Sequence, residues 1–447
     1  MTPGARLAAA IEILDRIAGD PRPADRIVTG ELRRRRYAGS KDRAAINRIV
    51  YGTLRRRARL GWWLVRHALD PNSARALAIA ELMLGQGASD TEVSEMLSGA
   101  GHSAAPAEPD EAAFITAVSG SELEPSDMPE DVRLECPEWL YPDLVRDLGD
   151  ASSSILEALR DEAPFDLRVN PRDPGKGTRH RREQAVVELA AAGITVEPTT
   201  LSPIGLRASA RRPIDQLKAY RDGRIEVQDE GSQLAALMLD ARPGMQVADF
   251  CAGGGGKALV AAAMMRGKGR VLAMDVSEAR LTQTAERANR ADLHNIERMV
   301  LASETDPALV PMAKEFDRVL VDAPCSGSGT WRRNPGGRWR LTADDLTRYA
   351  DLQDRILSAA SRLVRPGGRL VYVTCALSRR ENEDRVEAFM AHEPDFQLLP
   401  VYTVWQETLT PLGTPACPSD GNYLRLDPHH HGTDSFFVAV LERKLPS

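Results

Sequence analysis

Residues 248–257 read Ala-Asp-Phe-Cys-Ala-Gly-Gly-Gly-Gly-Lys, and their reading decides the fold. An apolar stretch ending at Asp249 runs into four consecutive glycines and then into an Ala- and Leu-rich segment after Lys257. The order is strand, glycine turn, helix. Without a Cβ at Gly253, Gly254, Gly255 and Gly256 the backbone lets a ligand approach closely, and the following helix offers free N–H donors. The pattern is not a phosphate-binding P-loop, because Cys251 stands five positions before Gly256 and Ala258 replaces the Ser or Thr. It does satisfy G-x-G-x-x-A at Gly253, Gly255 and Ala258. About twenty residues on, Asp275 closes a second strand, where an acid accepts hydrogen bonds from both hydroxyls of a ribose. These residues point to a nucleoside cofactor and leave NAD and S-adenosylmethionine both open.

Outward from this turn the pattern alternates. Strands are expected near 246–250, 270–275, 317–322 and 369–374, with amphipathic helices between them, which predicts a doubly wound α/β sheet binding ligands beyond the carboxyl ends of its strands. The helix before the last of these strands opens on Thr342 with Asp345 three residues later and stops at Pro366-Gly367-Gly368. Two of the strands end on thiols: one runs into Asp322-Ala323-Pro324-Cys325-Ser326-Gly327, the other into Thr374-Cys375. A dehydrogenase has no use for such a pair. Methyl transfer to carbon 5 of a pyrimidine does, because that carbon becomes nucleophilic only after a soft nucleophile adds to carbon 6, and a base must then remove the carbon-5 proton. Asp322 is suited to the ring nitrogen and exocyclic amine of cytosine. Trp331, Arg332, Arg333, Arg338, Trp339 and Arg340 follow, cations and aromatics suited to an RNA strand.

The remainder of the chain divides by composition. With 447 residues, 43% hydrophobic and 27% charged, it reads as a soluble protein of two or three domains. No apolar run approaches the ~20 residues of a membrane span and no signal-peptide pattern opens the chain, so a cytoplasmic protein is expected. Five widely spaced cysteines without a CxxC argue against a disulfide framework, and no metal site is read. The net charge of −6 conceals an asymmetry: residues 1–75 hold 17 Lys and Arg against 7 Asp and Glu, a net of +10. Residues 76–162 hold 3 against 20, a net of −17. A basic helical head, with runs at Arg33–Arg36 and Arg55–Arg57, is therefore expected over 1–75 for RNA contact, followed by an acidic, partly helical linker over 76–135. An α+β module is expected over 136–226 and the α/β domain over 227–447.

The motifs resemble those of the Fmu/Sun-type RNA cytosine-C5 methyltransferases. The likeness runs from about Trp139 to Lys444 through Leu167-Arg168-Val169-Asn170-Pro171, Val227-Gln228-Asp229-Glu230-Gly231-Ser232, the glycine turn and Asp275 with Arg280-Leu281. It continues through Asp322–Gly327, Arg332-Arg333-Asn334-Pro335, Thr374-Cys375 with Glu381-Asn382-Glu383, and Thr433-Asp434-Ser435-Phe436-Phe437. The resemblance implies a Rossmann-like methyltransferase domain, a small α+β RNA-binding subdomain and, from Tyr37–Leu60, a NusB-like all-helical N-terminal domain of the bacterial 16S ribosomal RNA branch, shortened here. It implies that Cys375 is the nucleophile, that Cys325 assists breakdown of the covalent adduct, and that Lys257 and Asp322 belong to the active site. Cys251, Ala252, Gly253, Gly254, Gly255, Gly256, Lys257, Asp275, Arg280 and Asp322 are expected around S-adenosylmethionine, with Asp306 preferred over Glu304 at the adenine. Asn170, Arg332, Arg333 and Arg338 are expected on RNA, in a protein acting as a monomer. The family's usual Pro-Gly-Gly-Lys-Thr stands here as Gly254-Gly255-Gly256-Lys257-Ala258. The rival readings are a nucleotide-cofactor oxidoreductase and a non-catalytic RNA-binding assembly factor; intact Cys325, Cys375, Asp322 and Lys257 argue against the second.

Overall fold

The computed structural model describes residues 1–171 and 176–446. It falls into two units, Met1–Glu162 with Thr330–Leu341, and Ala163–Gly329 with Thr342–Ser447.

The first unit is helical. Its long members, Pro3–Gly19, Ala24–Arg34 and Ser40–Arg55, are amphipathic and turn Leu7, Ile13, Ile46 and Val50 into one core. The expected linker over 76–135 is corrected by the structure. Helices Ala74–Ala80, Asp90–Met96 and Pro109–Val118 add Leu77, Ile79, Val93, Phe114, Ile115 and Val118 to the same core. Several of the acids that suggested a linker occupy the outer faces and caps of these short helices, as Glu92 does in the capping box at Ser89.

Three acids of that stretch are buried, Glu81, Glu111 and Glu135. Glu81 opens a π-helical turn, Glu81–Gly85, and is fully buried against Arg56 at 2.8 Å. The carboxylate fits because two neighbours lack side chains: a Cβ on Gly52 would lie 2.1 Å from one oxygen, and on Gly85 2.2 Å from the other. Burial outweighs Arg56 and pushes Glu81 up to about 7. The folded state therefore binds more protons than the unfolded one between the ordinary carboxyl range and pH 7, so this group's contribution to stability falls as pH rises through that window. Thermal unfolding of Glu81→Gln is expected to show a flatter pH dependence between pH 5 and 8 than the parent; equal slopes would remove Glu81 as the cause.

The arginine runs are consumed only in part within this unit: Arg33, Arg34 and Arg36 are exposed. Arg35 pairs with Glu31 and Glu12, and Arg56 with Glu81. The segment Thr330–Leu341, expected on RNA, packs with the helices instead. Arg338 is 1% exposed and donates to the carbonyls of Glu135 and Leu159 at 2.8 and 3.0 Å, with its guanidinium over Trp331. Trp339 donates to the Leu54 carbonyl at 3.0 Å, and Arg340 donates to the Ile17 carbonyl at 2.8 Å and to the Arg22 carbonyl. Arg332 is also buried. Arg332 and Arg338 are thus corrected from RNA contacts to interior residues, and Arg333 is half-buried.

The second unit carries two sheets among its described residues. Strands β1 (Phe165–Val169), β2 (Val196–Pro198), β3 (Gly205–Ala208) and β4 (Ile225–Val227) form an antiparallel sheet in the order β2-β3-β1-β4. β3 was not expected from sequence, because four residues beginning with glycine carry little periodicity. Leu167 and Val169 of β1 face a small apolar core, while Asp166, Arg168 and Asn170 face the polar side. Asn170 is 4% exposed and its amide donates to the Gly223 carbonyl, so its expected RNA contact is corrected as well.

The larger sheet comprises β5 (Gln246–Asp249), β6 (Arg270–Asp275), β7 (Ile296–Val300), β8 (Phe316–Asp322), β9 (Val364–Thr374), β10 (Phe396–Leu399), β11 (Leu424–Leu426) and β12 (Phe436–Arg443). Its order is β10-β12-β9-β8-β5-β6-β7, parallel from β9 to β7, with β12 antiparallel to β9 and β11 paired to β12. Chain order reverses direction between β5 and β8, and a doubly wound sheet opens its ligand crevice at such a switch point. The inner parallel strands β5, β6 and β8 are buried on both faces, as their Val-, Leu- and Ala-rich sequences require, whereas the edge strand β7 is largely exposed. No helix among the described residues is long and apolar enough to cross a membrane.

Candidate active site

At the carboxyl ends of β5, β6 and β8 a cleft of about 620 Å³ opens. The glycine turn forms one wall. Gly253 and Gly255 have φ of +53° and +77°, and a Cβ on Gly255 would meet Thr284 at 2.5 Å, so the turn requires glycine there for both conformation and space. The helix Gly256–Met264 follows at once. Asp275, at the end of β6, accepts the Gly253 N–H at 2.8 Å and the Ser277 N–H at 2.8 Å, which ties the acid to the turn while its carboxylate lines the cleft. Arg287 closes the turn from behind by donating to the Gly254 carbonyl at 2.5 Å.

The thiols meet because β8 and β9 are parallel neighbours in register, Asp322 opposite Val373. Both strands end on the same edge, so the residues just beyond them converge. The Ala323 N–H reaches the Val373 carbonyl and the Gly329 N–H the Cys375 carbonyl, each at 2.9 Å. Cys325 Sγ and Cys375 Sγ stand 3.5 Å apart, and both line the cleft. All five cysteines are free thiols.

Lys257 and Asp322 sit beside them, Nζ to Oδ2 at 2.5 Å. Burial opposes the charge on Lys257, but the Asp322 carboxylate outweighs it and holds the ammonium above its ordinary range. Asp249, buried beneath the turn, is pushed up to about 7 by burial and by Asp322. The hydrogen bond with Cys325, then burial, then the anionic Asp322 raise the Cys375 thiol well above the ordinary thiol range, with Lys257 opposing. Alkylation of Cys375 by iodoacetamide is therefore expected to keep accelerating with pH beyond the ordinary thiol range. Asp322→Asn deletes one anion that raises this thiol and leaves the opposing Lys257 in place. Peptide-resolved alkylation of Cys375 at pH 7 is expected to speed up several-fold; a slower or unchanged rate would show that local charge does not govern it.

Of the residues expected at the cofactor, Cys251, Ala252, Gly253, Gly254, Gly256, Lys257, Asp275, Arg280 and Asp322 line the cleft, and Gly255 shapes the turn behind it. Asp306 does not. Its carboxylate caps the 3-10 helix Pro307–Met312, accepting from Ala308 at 2.9 Å and from Ala302 at 2.7 Å, and it lines a neighbouring cavity instead. Glu304, the residue passed over, lines the cleft, held at 2.6 Å by Arg355. Other lining residues had no assigned role: Gln228, Val276, Arg287 and Tyr349. Gln228 lay within a quoted motif and Val276 directly follows Asp275, so local signals existed for both. Arg287 and Tyr349 reach the cleft from helices Glu278–Arg290 and Ala343–Ser361 and had none.

Comparison with known proteins agrees with this geometry. The model of the 16S rRNA methyltransferase RsmB/F family matches residues 236–442, and that of the RsmF/B-like ferredoxin-like domain matches residues 136–215. Ribosomal RNA small subunit methyltransferase B of Xylella fastidiosa is 36% identical over 310 residues, covering 69% of each chain. The crystal structure of PH0851 matches over 99% of both chains at 25% identity and a TM-score of 0.76. A methyltransferase homolog protein from Pyrococcus horikoshii, at 28% identity, covers 72% of this chain and 99% of its own, with a TM-score of 0.58.

Proposed function

The chain belongs to the 16S rRNA methyltransferase RsmB/F family, and on that premise we propose that it transfers a methyl group from S-adenosylmethionine to carbon 5 of a cytosine in 16S ribosomal RNA. The observation that carries the reading is the pair of thiols 3.5 Å apart in the same cleft as a glycine turn and a strand-end acid. The donor set fits the cofactor. Asp275 is an acceptor for ribose hydroxyls, exposed Val276 and half-buried Leu352 are apolar walls for a flat base, and the turn approaches closely enough for a compact charged tail. Bound S-adenosylmethionine supplies an electrophilic methyl on a positively charged sulfur. The oxidoreductase alternative has no support in a family of methyltransferases.

In the reaction we assign, Cys375 Sγ bonds to carbon 6 as its proton passes to the pyrimidine ring nitrogen, which leaves an enamine with electron density at carbon 5. Asp322, steadied by Lys257, accepts hydrogen bonds from the exocyclic amine and from the ring N–H so formed. Carbon 5 gains the methyl, the carbon-5 proton leaves with help from Cys325, and the Sγ–C6 bond breaks to free Cys375. The test is incubation of unmodified 16S RNA, free and in small-subunit particles, with labelled cofactor, followed by digestion and nucleoside identification. Label in 5-methylcytidine is expected. Label elsewhere, or none with either substrate, overturns the reading.

A further inference from the structure

Cys325 sits between two peptide units that are held from outside the cleft. Gln353, on the helix Ala343–Ser361, and Glu381, in the turn after Cys375, are both 0% exposed, and neither lines the cleft. Gln353 Nε2 donates to the Pro324 carbonyl at 2.9 Å and to Glu381 Oε1 at 3.3 Å. Glu381 accepts the Ser326 N–H at 2.7 Å on one oxygen and the Ser326 hydroxyl at 2.6 Å on the other. The residue before Cys325 and the residue after it are thus fixed by one pair of buried polar side chains that bond to each other. Burying a carboxylate is unfavourable unless donors surround it, and here the donors are the backbone and side chain of the residue next to the thiol.

Cys375 shares one bond with the loop that carries Cys325, the Gly329 N–H to its carbonyl at 2.9 Å, and has further anchors of its own. It follows β9, whose last residue Thr374 pairs with Phe437 of β12, and Asn382 donates to the Ala376 carbonyl at 3.0 Å. Glu381 meets that strand through its own carbonyl, which accepts the Tyr372 hydroxyl at 2.7 Å and survives any side-chain change; its side chain reaches the segment after Cys375 at one remove, through the Ser326 and Ser328 hydroxyls to the Leu377 N–H.

We propose that Glu381 and Gln353 are positioning residues for Cys325, setting where its thiol stands relative to Cys375 and therefore the rate at which the covalent RNA adduct breaks down. The inference rests on the roles given to the two cysteines above and goes beyond them. Loosening this clamp leaves attack by Cys375 in place and slows resolution.

The test uses the full chain with its RNA substrate and labelled cofactor. It measures the first-turnover rate of methyl incorporation, the steady-state rate, and the amount of protein–RNA complex that survives denaturation. For Glu381→Ala and Gln353→Ala the first turnover is expected to stay within about threefold of the parent, steady-state turnover to fall at least tenfold, and the denaturation-resistant complex to accumulate. Glu381→Gln keeps an acceptor for the Ser326 N–H and a polar partner for its hydroxyl, and should recover most of the turnover. First-turnover and steady-state rates falling together, or no accumulation of complex, would overturn the clamp. Should Glu381→Ala fail to fold, Gln353→Ala carries the same comparison. Cys325→Ala run alongside separates two failures: if it traps no complex, the assignment of the cysteines is wrong, and if it traps complex while the clamp variants release normally, only the clamp is wrong.

Discussion

Cys375→Ala is expected to abolish both methyl transfer and the covalent protein–RNA complex, whereas Cys325→Ala, changing a thiol 3.5 Å away, is expected to trap that complex. The two substitutions remove chemically equivalent groups from one cleft, so opposite outcomes test order of action and not mere proximity. Without Sγ at residue 375 no bond to carbon 6 forms, carbon 5 stays unreactive, and the rate should fall by on the order of 10⁴-fold or more, as when a covalent nucleophile is removed from other enzymes. Without Cys325 the adduct still forms and accepts the methyl, but its breakdown slows and protein stays on RNA through denaturing electrophoresis. A Cys375→Ala protein that methylates at the parent rate would sink the assignment. Trapping by Cys375→Ala in place of Cys325→Ala would reverse it.

The second large effect concerns stability. Arg338→Ala is expected to destabilise the helical unit by about 3–5 kcal/mol, the range found when one partner of a buried charged network is removed. Burial pushes Arg338 down to about 10, so it remains charged at neutral pH, facing the fully buried Glu135. Truncation leaves the Glu135 and Leu159 carbonyls without this donor and empties the space over Trp331. Denaturant unfolding would measure the loss. The same substitution is expected to leave the salt dependence of RNA binding unchanged wherever the protein stays folded, since a cation already occupied in the interior releases no counterions from a phosphate. A flattened salt slope with unaltered stability would return Arg338 to the RNA surface.

Arg338 also shows where reading the chain residue by residue stops. Trp331-Arg332-Arg333 and Arg338-Trp339-Arg340 have the composition of a nucleic-acid strip, and nothing local distinguishes a guanidinium that meets phosphate from one that meets backbone carbonyls. The same holds for residues 76–135, whose acids and prolines read as a linker although Leu77, Val93, Phe114 and Val118 complete a core begun at Leu7. Nothing along the chain marks Gly85, yet it makes room for a carboxylate oxygen 2.2 Å from where its Cβ would lie. In each case the deciding partner is remote in sequence.

The catalytic half was more legible because its signals are local. Strand, glycine turn and helix around Gly253–Gly256 follow from hydrophobic runs and from the need for positive φ at Gly253 and Gly255. Asp275, Asp322, Cys325 and Cys375 could be placed at strand ends because a strand's end is visible in its own residues. The sequence by itself therefore determined the doubly wound sheet, the glycine turn and which residues stand at the ends of its strands. Only the tertiary structure decided that β8 and β9 are neighbours in register, which brings two cysteines fifty positions apart to 3.5 Å. It alone decided that Glu304 and not Asp306 lines the cleft, and that Arg338 faces inward. The physical reason is common to all three: backbone conformation is set largely by neighbours along the chain, whereas burial and pairing are set by whichever segments the fold packs together.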